Sequence, residues 1–306
     1  MPYAASMVQP DDQHKASSPA KIARKVSLMN AIEKLIDQAL EEDIGPADIT
    51  TESLVPVDSM GSGEIVAKES AVLAGLDISR KVFERLDSEI SWRPRYRDGE
   101  AVASGTTVVE LFGRLGALLS AERVALNFLQ HLSGIATLTR SYKDKLGNSV
   151  VRLVDTRKTT PGWRVLEKYA VRVGGADNHR MGLYDGVLIK DNHIAACGGI
   201  KTAVARVRQR ISHLMKIEVE VATLNEVREA LAVGVDIIML DNMAPSKIRE
   251  AVGLINKQAV VEVSGGVTDI TLEELARTGI DIISVGALTH SARSVDMSMR
   301  ISATGK

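Results

Sequence analysis

The sequence predicts an α/β protein, with an incomplete, open parallel α/β barrel preceded by a smaller α+β domain. Three observations carry this expectation. Apolar runs ending in polar residues recur in the second half, as VVRLVDTR, DGVLIKDNH, MKIEVEV, VDIIMLDN, AVVEVSGG and IDIISVGA. Helical stretches such as TLNEVREALAVG and TLEELARTG separate most of them. The first half instead has short alternating runs broken by glycine. Strand, polar strand end, loop, helix and strand again is the βα unit, whose repetition builds a parallel barrel. The clear strands fall short of the eight in a complete TIM barrel, hence the open form.

Residues 1–26 mix Ser, Pro, Gln, Asp and Lys without a sustained apolar period, and are read as a mobile extension. Asp11, Asp12 and the lack of an apolar h-region argue against a targeting peptide. A helix is expected from near Ser27, with Ile32, Leu35, Ile36, Ala39 and Leu40 on one stripe, ending before Gly45-Pro46. Between residues 61 and 112, runs such as EIVAKES and VVELFG alternate between turn signals. Together with the turn-rich DGEAVASG, they predict a small, mainly antiparallel sheet with helix support. After Leu118 comes a strong helix with Val124, Phe128, Leu132 and Ile135 on its buried side. The expected division is residues 27–125 as the N-terminal domain, joined by the C-terminal segment 289–306, and 126–288 as the barrel.

At 306 residues the chain can bury one large core or two smaller ones. A formal net charge of −1 argues against a generally basic, nucleic-acid-coating surface. No apolar run is long enough to span a bilayer. The lone Cys197 excludes an intramolecular disulfide and a cysteine-rich zinc site, which suits a cytoplasmic location.

The densest chemistry lies in residues 154–194, VDTRKTTPGWRVLEKYAVRVGGADNHRMGLYDGVLIKDNHI. Arg157, Lys158, His179, Arg180 and Lys190 all follow apolar segments or glycine turns, where a scaffold presents side chains to a ligand. Their convergence implies a ligand with several negative charges. Arg can hold a carboxylate or phosphate bidentately, and Lys acts as a compact point charge. Lys190 admits three readings: a Schiff-base lysine, a charge stabiliser, or a salt bridge to Glu220 or Asp191. A lone histidine is more often structural than catalytic, and His193 is read that way.

Side chains two apart on a strand share a face, aligning Asp155 with Arg157, Glu218 with Glu220, and Glu262 with Ser264. That charged face belongs inside the barrel mouth, with opposite signs or a ligand compensating it. Glu220 and Asp241 end successive strands, a plausible site for Mg²⁺ and ribose hydroxyls. Ser264-Gly265-Gly266 and Ser284-Val285-Gly286-Ala287 each follow an apolar strand and precede a candidate helix start. Such backbone N–H groups bind phosphate, and barrel phosphate sites often follow the last two strands. Arg123 and Asn127 share a helix face, on the simplest reading a solvated one.

DTRKTTPG, GGADNHR and LIKDNHI also resemble the signature of the quinolinate phosphoribosyltransferase family, the decarboxylating enzymes of NAD synthesis. EEDIGPADITT and SAERVALNFLQHLSGIAT upstream extend the resemblance, as do IEVEV, MLDNM, VEVSGGV and ISVGALTHS downstream. It covers residues 28–291 approximately. It implies an open barrel with an N-terminal α+β open-faced sandwich. It also implies transfer of phosphoribose from 5-phosphoribosyl 1-pyrophosphate to quinolinate with decarboxylation, giving nicotinate mononucleotide, pyrophosphate and CO2.

By the same resemblance, Arg123, Arg157, His179 and Arg180 hold the pyridine dicarboxylate, and Lys158 and Lys190 lie close to the reacting groups. Arg123 reaches the neighbouring subunit's site in a homodimer or a larger assembly built from it. The pyridine nitrogen is the nucleophile and carries no proton, so the chemistry needs no base. Two rivals stand beside this reading: a related barrel phosphoribosyltransferase acting on another pyridine, and a Schiff-base lyase using Lys190. The acidic-pair-plus-TG loop of the other large phosphoribosyltransferase class is absent from the sequence.

Overall fold

The computed structural model describes residues 19–268 and 270–303, and side chains from residue 30 onward. The extension expected over residues 1–26 therefore lies outside them through residue 18. The first helix, α1 (Pro19–Ile44), starts earlier than the expected Ser27. Proline suits a first helical position, and the Ala, Lys and Arg that follow are strong helix formers despite their weak apolar pattern. Ile36 and Leu40 on its stripe are buried. The short α2 (Ile49–Leu54) begins at Asp48, whose carboxylate accepts the Thr51 N–H at 2.9 Å.

The N-terminal sheet follows. Strands β1 (Met60–Ala67), β3 (Ser91–Pro94) and β5 (Thr107–Arg114) are joined by the C-terminal strand β12 (Met297–Ala303), in the order β12-β1-β5-β3. All its pairings are antiparallel. Strands β2 (Ala71–Val72) and β4 (Ala101–Val102) form a separate ribbon, and α3 (Leu76–Leu86) follows β2. In β1, Gly61, Gly63 and Ile65 are buried while Met60, Ser62 and Glu64 are exposed, so the sheet has one covered and one open face.

Helix α4 (Leu115–Leu146) runs from this sheet into the second half and packs against α3, β2, β12 and α5 (Arg164–Gly174). Its Gly134 meets the C-terminal segment so closely that a Cβ would lie 2.1 Å from the Arg293 carbonyl oxygen. Only glycine permits that approach.

The barrel comprises β6 (Arg152–Val154), β7 (Val187–Ile189), β8 (Ile217–Val221), β9 (Ile237–Asp241), β10 (Val260–Ser264) and β11 (Ile282–Ser284). These are the apolar runs identified in the sequence, all parallel, in the order β6-β11-β10-β9-β8-β7. β6 and β7 are the two edges and do not pair, so the barrel is open. Connecting helices are α6 (Asp191–Cys197), α7 (Ile200–Arg208), α8 (Leu224–Ala232), α9 (Pro245–Ile255) and α10 (Leu272–Ala276), with α11 (Ala287–His290) after β11. Val219, Ile238, Leu240 and Ile283 are fully buried in the apolar core, while the residues alternating with them include Glu218, Glu220 and Glu262. No helix among the described residues is long and apolar enough to cross a membrane.

Candidate active site

The C-terminal ends of the parallel strands open onto a cavity of ≈ 750 Å³. Going around the mouth, the loop after β6 supplies Arg157 and Lys158, β11 supplies Ser284, Gly286 and Ala287, and β10 supplies Ser264, Gly265 and Gly266. Asp241 follows from β9, Glu220 from β8 and Lys190 from β7, and the connection before β7 brings in His179 and Arg180. These residues, from seven separate chain segments, line one cavity. Arg123 is not among the lining residues and lies exposed on α4.

Cations gather at the open seam. Arg180 donates to the Gly186 carbonyl at 3.0 Å. Burial and the nearby Arg157 charge lower the Arg180 pKa, so the pair repels until an anion joins it. The buried Arg157 Nε has no hydrogen-bond partner, an unmet donor beside the cavity. Lys190 forms an ion pair with Glu220, the salt bridge the sequence had left as one reading. His193 accepts the Lys190 N–H through Nδ1 at 2.9 Å, capping α6.

The opposite side is built by backbone. Asn242 adopts a left-handed conformation (φ 51°) and Gly265 another (φ 83°). A Cβ on Gly265 would lie 2.4 Å from the Asn242 Oδ1, so the two loops fit only with glycine there. The expected helix start after Ser264-Gly265-Gly266 is not observed, because α10 begins only at Leu272. Ahead of it, the Thr268 N–H donates to Thr271 Oγ1 at 3.0 Å. Any phosphate contact there comes from loop N–H groups rather than a helix dipole. After β11 a short helix does begin, at Ala287.

Beneath the mouth, His179 Nε2 lies 3.3 Å from Glu218 and 3.5 Å from Glu262. Its Nδ1 accepts the Arg180 N–H at 2.7 Å. Burial lowers the His179 pKa, but the hydrogen bond that its ring donates to Glu218 and the two carboxylate charges outweigh it and carry the pKa above the ordinary histidine value. Burial and the Glu218 charge push Glu262 up to about 7. Among the described residues this is the one set of three His, Asp or Glu ligand atoms within 4.8 Å of one another. Protonation of Glu262 and His179 neutralises the set without an ion. The alternation of charge along β8 and β10 pointed to this inward face, but not to His179 as its partner.

A raised carboxylate pKa makes folding favourable at low pH. Stability from Glu262 is full below the ordinary glutamate value of 4.5 and is lost as pH rises through about 7. The raised His179 acts in the same sense. Glu262→Gln should therefore remove roughly 3 kcal/mol of the stability lost between pH 5 and 8. Denaturant unfolding of both proteins at the two pH values measures this. Identical pH slopes would show that Glu262 does not carry the effect.

The sequence reading passed over Thr156, Asn242, Thr268 and His290, which also line the cavity. Asn242 directly follows the Asp241 strand tip and His290 lies within ISVGALTHS, so adjacency to a candidate was the available signal.

A parallel barrel whose mouth combines clustered cations, strand-tip carboxylates and glycine loops defines a barrel enzyme for anionic, phosphorylated substrates. Family models described as the quinolinate phosphoribosyl transferase N-terminal and C-terminal domains match residues 48–133 and 135–300. The chain is 46% identical over 270 residues to a probable nicotinate-nucleotide pyrophosphorylase [carboxylating] of Bacillus subtilis, covering 88% of this chain and 93% of that one. It is 39% identical to quinolinate phosphoribosyltransferase [decarboxylating] 1b of Nicotiana tabacum, with 87% and 81% covered. The crystal structure of NadC from Streptococcus pyogenes superposes with a TM-score of 0.86 at 41% identity, covering 95% of this chain and 100% of that one. This chain belongs to the quinolinate phosphoribosyl transferase family.

Proposed function

We propose that this chain transfers the phosphoribosyl group of 5-phosphoribosyl 1-pyrophosphate to the ring nitrogen of quinolinate, releasing pyrophosphate and CO2 and giving nicotinate mononucleotide. One observation carries the reading: a single cavity holds cations at the barrel seam, with Glu220, Asp241 and the glycine loops completing its rim. The cations suit a dicarboxylate, and the rest of the rim suits a phosphorylated sugar.

Arg157, His179 and Arg180 orient the dicarboxylate so that its nitrogen faces the sugar C1. Lys158 and Lys190 balance charge near the reacting groups. Loop N–H groups at Ser264, Gly265, Gly266, Ser284, Gly286 and Ala287 hold phosphate. As the C1–pyrophosphate bond weakens, Glu220 and Asp241 face the positive charge developing on the ribose. The positive charge of the quaternary ring nitrogen then stabilises the electron pair left on the adjacent ring carbon as its carboxylate departs as CO2, and that carbon takes a proton from water, so no organic cofactor is needed.

The two carboxylates at neighbouring strand tips open into the cavity and form no three-ligand protein cage. That donor set fits an ion retaining water and phosphate ligands, and Mg²⁺ held there would neutralise the departing pyrophosphate. Arg123, exposed on α4, serves the partner's site in a two-fold dimer. A cytoplasmic location accords with the single cysteine.

The lyase alternative needs a neutral Lys190 amine, whereas Lys190 is ion-paired with Glu220. The test is a product assay with the ribosyl donor, Mg²⁺ and quinolinate, nicotinate or nicotinamide in turn, measuring nucleotide and CO2. Nicotinate lacks the 2-carboxylate and leaves part of the cation cluster unpaired. Its kcat/KM should fall by roughly 2–5 kcal/mol, about tenfold per 1.4 kcal/mol. Comparable turnover of nicotinate would sink the assignment.

A further inference from the structure

One face of α5 grips both loops that carry the cations. Arg164, Glu167 and Lys168, three and four residues apart, project from the same side of the helix. Glu167 accepts the Thr160 N–H at 3.1 Å and meets His131 Nε2 at 2.9 Å. Lys168, fully buried, pairs with the equally buried Asp155. That pair clamps the backbone of His179: Lys168 Nζ donates to its carbonyl at 3.0 Å, and its N–H donates to Asp155 Oδ1 at 2.9 Å.

Arg164 is the bridge between the two loops. Its Nε donates to Thr159 Oγ1 at 2.9 Å and its Nη2 to the Arg157 carbonyl at 3.3 Å, both in the loop after β6. Its Nη1 donates to the Met181 carbonyl at 3.3 Å, in the loop that carries His179 and Arg180. Arg164 does not line the cavity. A planar guanidinium with donors in a rigid fork can hold two loops at fixed separation, whereas an ammonium acts as a point donor.

We propose that Arg164 is a positioning residue that sets the spacing between Arg157 and Arg180, and through it the preference for a dicarboxylate. The inference rests on the reading that Arg157 and Arg180 hold that dicarboxylate. Arg164 touches no substrate and acts through the Arg157 and Met181 carbonyls. The ribosyl donor, bound across the mouth by other strands, does not depend on it.

The test uses the full chain with Arg164→Gln, Arg164→Lys and, as a control for the site reading, Arg157→Ala. Steady-state KM for quinolinate and for the ribosyl donor, kcat/KM for nicotinate, and the thermal midpoint are measured for each. Arg164→Gln should raise the quinolinate KM about tenfold or more, with the donor KM within about twofold, because the three hydrogen bonds that fix the loop spacing are lost or weakened. The quinolinate-to-nicotinate preference should narrow. Arg164→Lys should remain impaired, since it keeps the charge but loses the fork. It also decides the matter if the glutamine variant does not fold.

An unchanged quinolinate KM in a folded Arg164 variant, or equal rises in both KM values, overturns the inference. If Arg157→Ala also leaves the quinolinate KM unchanged, the site reading has failed. If only Arg157→Ala raises it, the positioning role alone has failed.

Discussion

Glu220→Ala and Asp241→Ala should each lower kcat roughly 10²–10³-fold, the scale of deleting one preorganised electrostatic contact to a transition state. Both side chains stand at strand tips and line the cavity, outside the packed apolar layer. Their removal should leave the thermal midpoint nearly unchanged. The variants should differ in one respect. Glu220→Ala also frees Lys190 from its ion pair, placing an unpaired cation beside the developing ribose charge. Asp241 accepts a hydrogen bond from the Asn242 side chain at 2.8 Å, and no ion pair to it occurs among the described residues. The glutamate variant should therefore show the larger kcat loss, and the aspartate variant mainly a higher Mg²⁺ requirement. Rates across a Mg²⁺ titration, with unfolding midpoints as control, check this. Full activity of either variant at limiting Mg²⁺ removes that residue from the proposed role.

Arg123→Ala and Lys190→Ala should each be nearly inactive alone and recover activity when mixed. The proposal that Arg123 completes the partner's site makes this a geometric requirement. Lys190 lines its own barrel mouth, while Arg123 lies exposed on α4, away from the lining residues. In a two-fold dimer combining the two variants, one site carries both defects and the other carries neither. Random reassembly yields half mixed dimers, so activity should recover to about a quarter of wild type. Co-expression with differently tagged chains, followed by purification of the mixed species, isolates dimers with one intact site of two, which should reach about half of wild-type activity. No recovery despite verified exchange would assign Arg123 to its own chain.

Much of the architecture was legible before any coordinates. Each barrel strand is a short apolar run closed by a polar residue, and the period-2 alternation of IEVEV and VVEVS already placed glutamates opposite valines. A parallel strand buries its outer face under helices, so the polar face could only turn inward, and Glu218 and Glu262 do so. The same local logic placed Arg157, Lys158, Lys190, Glu220 and Asp241 at strand ends, all on one mouth. Strand direction and strand-end chemistry are local properties, written within a few residues of each other.

Other features depended on residues far apart in the chain. Nothing in GGADNHR shows that His179 meets two glutamates from β8 and β10, because those contacts span the barrel. The start of α10 was misplaced because a glycine pair after a strand also suits a turned loop, and only packing against Asn242 decides between them. Arg164, the first residue of α5, carries no local signal in the sequence, and becomes a bridge only where the fold brings residues 157, 159 and 181 around it. Sequence thus determined which elements form and which residues stand at their tips, since propensity and alternation act over a few residues. The tertiary structure alone decided which charges neutralise one another and which side chain holds the loops, because electrostatics and hydrogen bonding depend on distance in space.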